Sequence, residues 1–120
     1  AIGATPVLVT PLVRRQFDKH NDHLINSSLL VFASEDERIA ELRHVPLVDL
    51  HTRSKELCES LGRQGCYAFS PLKTVNGTNS YDGSHLTGPG NLMFAQLVVE
   101  ELRKVTPELS PLLLSEPATQ

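Results

Sequence analysis

At 120 residues, with 40% hydrophobic and 21% charged content, the chain has room for one domain with a modest core, or for part of a larger one. Its net charge of −3 and pI near 5.9, without a basic run or aromatic platform, disfavour nucleic acid as a partner, because such binding needs a basic stripe to neutralise phosphates. No apolar stretch approaches the roughly 18 residues needed to cross a bilayer as a helix, so no membrane span is expected.

The chain opens AIGATPVLV, with neither an initiator Met nor a signal peptide, and enters a strand pattern almost at once. That opening is expected of a fragment or processed product as well as of a complete domain. Pro6 to Pro11 is a short apolar run bounded by prolines, which predicts a strand buried on both faces. Leu12 to Asn26 is polar and without period, and reads as a loop. Ser27 or Ser28 is then placed to cap a helix running to about Arg43, with Phe32, Ile39, Ala40 and Leu42 among its apolar residues and Glu35-Asp36-Glu37 on a solvated face. Val45 to Leu50 is the second strand signal. It leads to a helix from about Thr52 to Leu61, which Gly62 is suited to end.

Gly65 to Ser84 reads as a long irregular segment, and loops of that length in a compact domain are usually functional. The last helix is expected from Gly88 to about Val105, capped by Thr87, with Phe94, Val98, Leu102 and Val105 on its apolar face. Beyond Pro107 a Pro/Ser/Leu-rich tail is expected to be partly loose. Alternation of strand and helix predicts a parallel sheet with helices against it. Two strands do not make a stable parallel sheet alone, so further strands are expected beside them.

Four groups of residues carry candidate chemistry. In Asp82-Gly83-Ser84-His85, a carboxylate three residues before an imidazole on a tight loop is in reach of Nδ1. It would then fix the tautomer and stabilise the imidazolium that forms when Nε2 takes a proton. As bare spacing the motif is weak, and a helix-entry Asp beside a surface His is the ordinary reading. Asp18-Lys19-His20-Asn21-Asp22-His23 holds imidazoles and carboxylates suited to a divalent metal, but Lys19 interrupts it and a solvated loop is the favoured reading. Asp49 and His51 end the second strand, where either a ligand edge or, preferentially, a helix cap supplied by Asp49 or Thr52 is expected. Arg14 and Arg15 follow the first strand and are candidates to meet an anionic substrate such as a uronate-containing sugar. The alternative is that one forms a salt bridge and the other is solvated.

Cys58 and Cys66, the two cysteines, have seven residues between them. The spacing is not that of a CxxC metal or redox site, so no zinc is expected. Either a small disulfide or two free thiols fits. With the sequons Asn26-Ser27-Ser28 and Asn76-Gly77-Thr78, the pair leans toward an extracellular, secreted glycoprotein.

VLVTPLVRRQFD, then VPLVDL and a helix, then DGSHLTGPG leading into the last helix, together resemble the C-terminal half of SGNH (GDSL-type) hydrolases, in particular the rhamnogalacturonan acetylesterase-like branch. The resemblance covers roughly Thr5 to Val105. It implies a three-layer α/β/α fold with a parallel sheet of flavodoxin-like kind, of which residues 1–105 are the C-terminal portion and 106–120 a tail. It also implies a Ser-His-Asp triad without cofactor or metal, in which His85 is the base and Asp82 orients it. The family's nucleophile lies in a Gly-Asp-Ser block after its first strand, and its oxyanion donors lie in two further blocks. None of these is in the chain, and Ser84 stands beside His85 in a different loop. The expected partners are therefore the N-terminal half of the same hydrolase, covalently joined or as a separate chain, and an acetylated polysaccharide or similar ester. The alternative expectation is a non-catalytic structural or binding remnant of the fold.

Overall fold

The computed structural model describes residues 2–113 as a mixed α/β arrangement. Strand β1 (Leu8–Val9) and strand β2 (Leu47–Val48) pair in parallel, Leu8 opposite Leu47 and Val9 opposite Val48. Helix α1 (Leu29–Arg43) makes the crossover between them and touches both. Val48 is fully buried, whereas Val9 is 44% exposed. The expectation of strands buried on both faces is thus met in part by β2, where Val48 is buried and Leu47 half-buried, and not by β1.

Helix α1 ends where expected, at His44, whose left-handed backbone lets its N–H reach the carbonyls of Ala40 and Glu41. Its start is supported by Ser27, whose hydroxyl accepts from Leu29 N at 3.3 Å. The helix buries only the small residues Ala33 and Ala40, while Val31, Phe32 and Leu42 are more than 60% exposed. Phe32 and Leu42 therefore do not form the inward face that their hydrophobicity suggests.

Helix α2 (Leu50–Tyr67) runs past its expected end. Gly62 does interrupt it, with φ 67° and ψ 175°, a backbone that residues bearing a Cβ rarely adopt. A further helical turn then resumes and returns Cys66 to Cys58, with which it forms a disulfide across a Cα–Cα distance of 4.9 Å. Both cysteines are completely buried. They belong to the main core with Val13, Phe17, Leu24, Phe94 and Leu97.

The segment expected to be irregular contains a hairpin, β3 (Leu72–Val75) and β4 (Thr78–Tyr81), antiparallel with Val75 opposite Thr78. Asn76 and Gly77, both at positive φ, form its two-residue turn. Asn-Gly is the preferred pair for such a turn because its backbone twist matches that of the strands. All eight strand residues are exposed, so the run has no alternating apolar pattern to announce it.

Helix α3 (Gly88–Val105) has the expected bounds, and Thr87 Oγ1 accepts from Gly90 N at 3.2 Å. Its Phe94 and Leu97 enter the core, and it contacts both α2 and β2. Gly90 lies so close to Phe69 that an added Cβ would stand 2.8 Å from the Phe69 carbonyl oxygen. Pro107–Leu112 forms a 3-10 helix where a looser tail is expected; residues 114–120 of that tail lie outside the described residues. Among the described residues no helix is long and apolar enough to cross a membrane.

Candidate active site

Asp82 and His85 meet in the loop between β4 and α3. Asp82 is buried and His85 exposed, their side chains 4% and 78% accessible. His85 Nδ1 lies 2.8 Å from Asp82 Oδ2. A carboxylate oxygen accepts, so Nδ1 is the protonated nitrogen and Nε2 the one left to act as acceptor. The other oxygen, Oδ1, accepts from the backbone N–H groups of Ser84 (2.7 Å) and His85 (3.0 Å). This tight turn uses Asp82 to order the backbone that carries its own partner.

A third group completes the surroundings of Asp82. Lys73 Nζ, from β3, bonds to Oδ2, the same oxygen that His85 uses. The Lys73 ammonium, followed by the backbone N–H groups of His85 and Ser84, holds the Asp82 carboxyl far below the usual carboxylate range, against the opposing effect of its burial. Spacing offers no signal for Lys73, which reaches Asp82 through the register of the hairpin.

The loop is fastened from beneath by Arg15. Its guanidinium donates through Nε to Ser70 Oγ (2.8 Å) and through Nη2 to the carbonyls of Asp82 (3.3 Å) and His85. Its backbone N–H donates to Gly83 O at 3.0 Å, so both the main chain and side chain of Arg15 hold residues 82–85. The side chain is 1% exposed and lies 5.9 Å from the centre of the Phe94 ring. Burial lowers the guanidinium pKa, and nearby Asp82 opposes that effect. Arg15, expected as a candidate for an anionic substrate or as a solvated or ion-paired side chain, is thus a buried brace. A guanidinium surrounded by core residues and carbonyls presents no face to a ligand. Arg14 is partly buried, with an enclosed Nε that has no hydrogen-bond partner.

Asp49 follows the cap expectation. Its Oδ1 accepts from Thr52 N at 3.1 Å and from the Thr10 hydroxyl at 3.2 Å. His51 is buried, and its Nδ1 lies 3.1 Å from the Pro11 carbonyl. These two residues join the end of β1 to the start of α2. The Asp18–His23 loop is stitched to itself and to α2: Asp18 Oδ1 accepts from His20 N, and Arg63 reaches the carbonyls of Asp18 and Asn21. Among the described residues, no three His, Cys, Asp or Glu side chains gather as they would for a metal ion.

The loop, its dyad and the helix behind it thus define a mixed α/β chain with a carboxylate–imidazole pair at its surface. No family model matches the chain. It is 29% identical over 108 residues to the rhamnogalacturonan acetylesterase RhgT of Bacillus subtilis (strain 168). The match takes in 86% of this chain and 46% of that protein, so the chain spans about half the length of the curated relative it matches. No solved structure matches. The chain is therefore a distant and partial relative of an acetylesterase.

Proposed function

We propose that this chain is the Asp–His-bearing C-terminal portion of a secreted, SGNH-type carbohydrate O-acetyl esterase with a three-layer α/β/α fold. The observation that carries the reading is the 2.8 Å contact of His85 Nδ1 with buried Asp82, on an imidazole that is otherwise open to solvent. In this reading His85 Nε2 removes the proton of a serine hydroxyl as its oxygen attacks the ester carbonyl. Asp82 keeps the imidazole in the required tautomer and stabilises the imidazolium. His85 returns the proton to the departing sugar oxygen, and the acyl-enzyme is then hydrolysed by water. The partial similarity to an acetylesterase supports an ester as substrate.

The serine and oxyanion donors come, in this proposal, from an N-terminal half joined covalently or supplied as a separate chain. The exposed Val9, Val31, Phe32 and Leu42 support this arrangement, since apolar surface on a two-stranded sheet and its crossover helix is suited to further strands and helices. The disulfide and the exposed Asn26 and Asn76 are in keeping with an extracellular glycoprotein.

Hydrolysis of p-nitrophenyl acetate and of an acetylated pectic polysaccharide tests the reading, with this chain alone and with it joined to or mixed with the polypeptide encoded upstream of Ala1. The chain alone is expected to be inactive and the assembled protein active, with His85→Ala lowering kcat about a thousandfold or more. An inactive assembled protein, or full activity in His85→Ala, overturns the proposal in favour of a non-catalytic binding or structural role.

A further inference from the structure

We propose that Lys73 is a positioning residue of this site, which shares the Asp82 carboxylate with His85 and thereby moderates the basicity of the imidazole. Lys73 Nζ and His85 Nδ1 both bond to Asp82 Oδ2, while Oδ1 is occupied by two backbone N–H groups. Every polar direction around the carboxylate is therefore directed to a named donor. An unshared carboxylate favours the imidazolium form of its partner, and a cation on the same oxygen offsets part of that field. A general base must be unprotonated to accept a proton, so the offset extends its working range toward lower pH.

The charged groups bonded to the His85 loop are Asp82 within it, Lys73 on β3, and the guanidinium of Arg15 behind the loop carbonyls. Lys73 differs from the other two in being 52% exposed and in arriving on a solvent-covered hairpin. That hairpin is held near the core by Tyr81, whose ring stacks on Tyr67 with centroids 4.6 Å apart. The ammonium is thus placed by tertiary structure at a site where its removal changes charge without opening the core.

The purpose assigned to this sharing rests on the esterase reading, but its physical test does not. The His85 ring titrates in NMR spectra of the full chain, its resonances assigned by loss in His85→Gln. Lys73→Met is expected to move the His85 midpoint upward by about 0.3 to 1 pH unit, and Lys73→Arg to leave it nearly in place. A smaller rise, no change or a fall in Lys73→Met overturns the proposal. A fall would mean that Lys73 only holds the loop in shape, because a loosened loop takes the carboxylate away from the imidazole. Lys73→Gln provides a second neutral variant should Lys73→Met fold poorly. In the assembled protein, the acid limb of kcat/KM is expected to move the same way in Lys73→Met. An upward midpoint without any esterase activity would retain this inference and remove the function it was assigned to serve.

Discussion

The guanidinium of Arg15 donates to the backbone carbonyl of His85, 70 residues later in the chain, from a position inside the core. The candidate base is therefore held through its main chain by one residue and through its ring by another, Asp82. The first contact fixes where the loop lies, and the second fixes which nitrogen carries the proton.

Arg15→Met should be costly. It leaves the carbonyls of Asp82 and His85 and the hydroxyl of Ser70 without their shared donor. Hydrogen bonds from a charged group are worth about 1.5–3 kcal/mol each and do not simply add, so a loss of about 3 kcal/mol is expected. The measurement is the urea midpoint. Arg15→Lys should recover only part of the loss, because an ammonium does not reproduce the fork that reaches both Ser70 and the loop.

Acid should weaken the fold through Asp82. Its carboxyl is held below the usual range by Lys73 and by the N–H groups of His85 and Ser84. The folded state thus favours the ionised form more than the unfolded chain does. The resulting stabilisation is complete above the unfolded value of about 4 and is lost progressively as pH falls below it. Urea midpoints of the native chain and Asp82→Asn, compared from pH 6 to pH 2, should draw together as the pH is lowered. Parallel curves over that range would show that the carboxylate contributes nothing through its charge.

Gly62→Ala should destabilise by about 1–3 kcal/mol, because φ 67° with ψ 175° is a region that only glycine enters without strain. Crowding adds little, since the new Cβ would stand 3.4 Å from Asp22 Oδ2, an ordinary contact. Thermal denaturation with the disulfide intact measures the backbone cost directly.

Much of the architecture was legible from local signals. Thr87 before Gly88-Pro89-Gly90 announces α3 because cap, proline and glycine all act within one turn. Asp49 announces the start of α2 for the same reason. Gly62 was legible as an interruption, but the helical turn beyond it was not, since the return of Cys66 to Cys58 depends on a pairing that spacing left open. The hairpin carried a signal in Asn76-Gly77, obscured because its strands bury neither face. Phe32 and Leu42 show the converse: they are apolar residues of α1, yet the described residues leave both more than 60% exposed.

What sequence alone decided about this chain is what depends on neighbours a few residues apart: its caps and the reach from Asp82 to His85. Covalent proximity confines those groups, so residue type and spacing suffice to bring them together. The tertiary structure alone decided that Arg15 turns inward to hold the loop and that Lys73 arrives at the carboxylate. Those contacts join segments separated by whole elements, and their geometry follows from how α2, α3 and the hairpin pack. No local pattern encodes that packing.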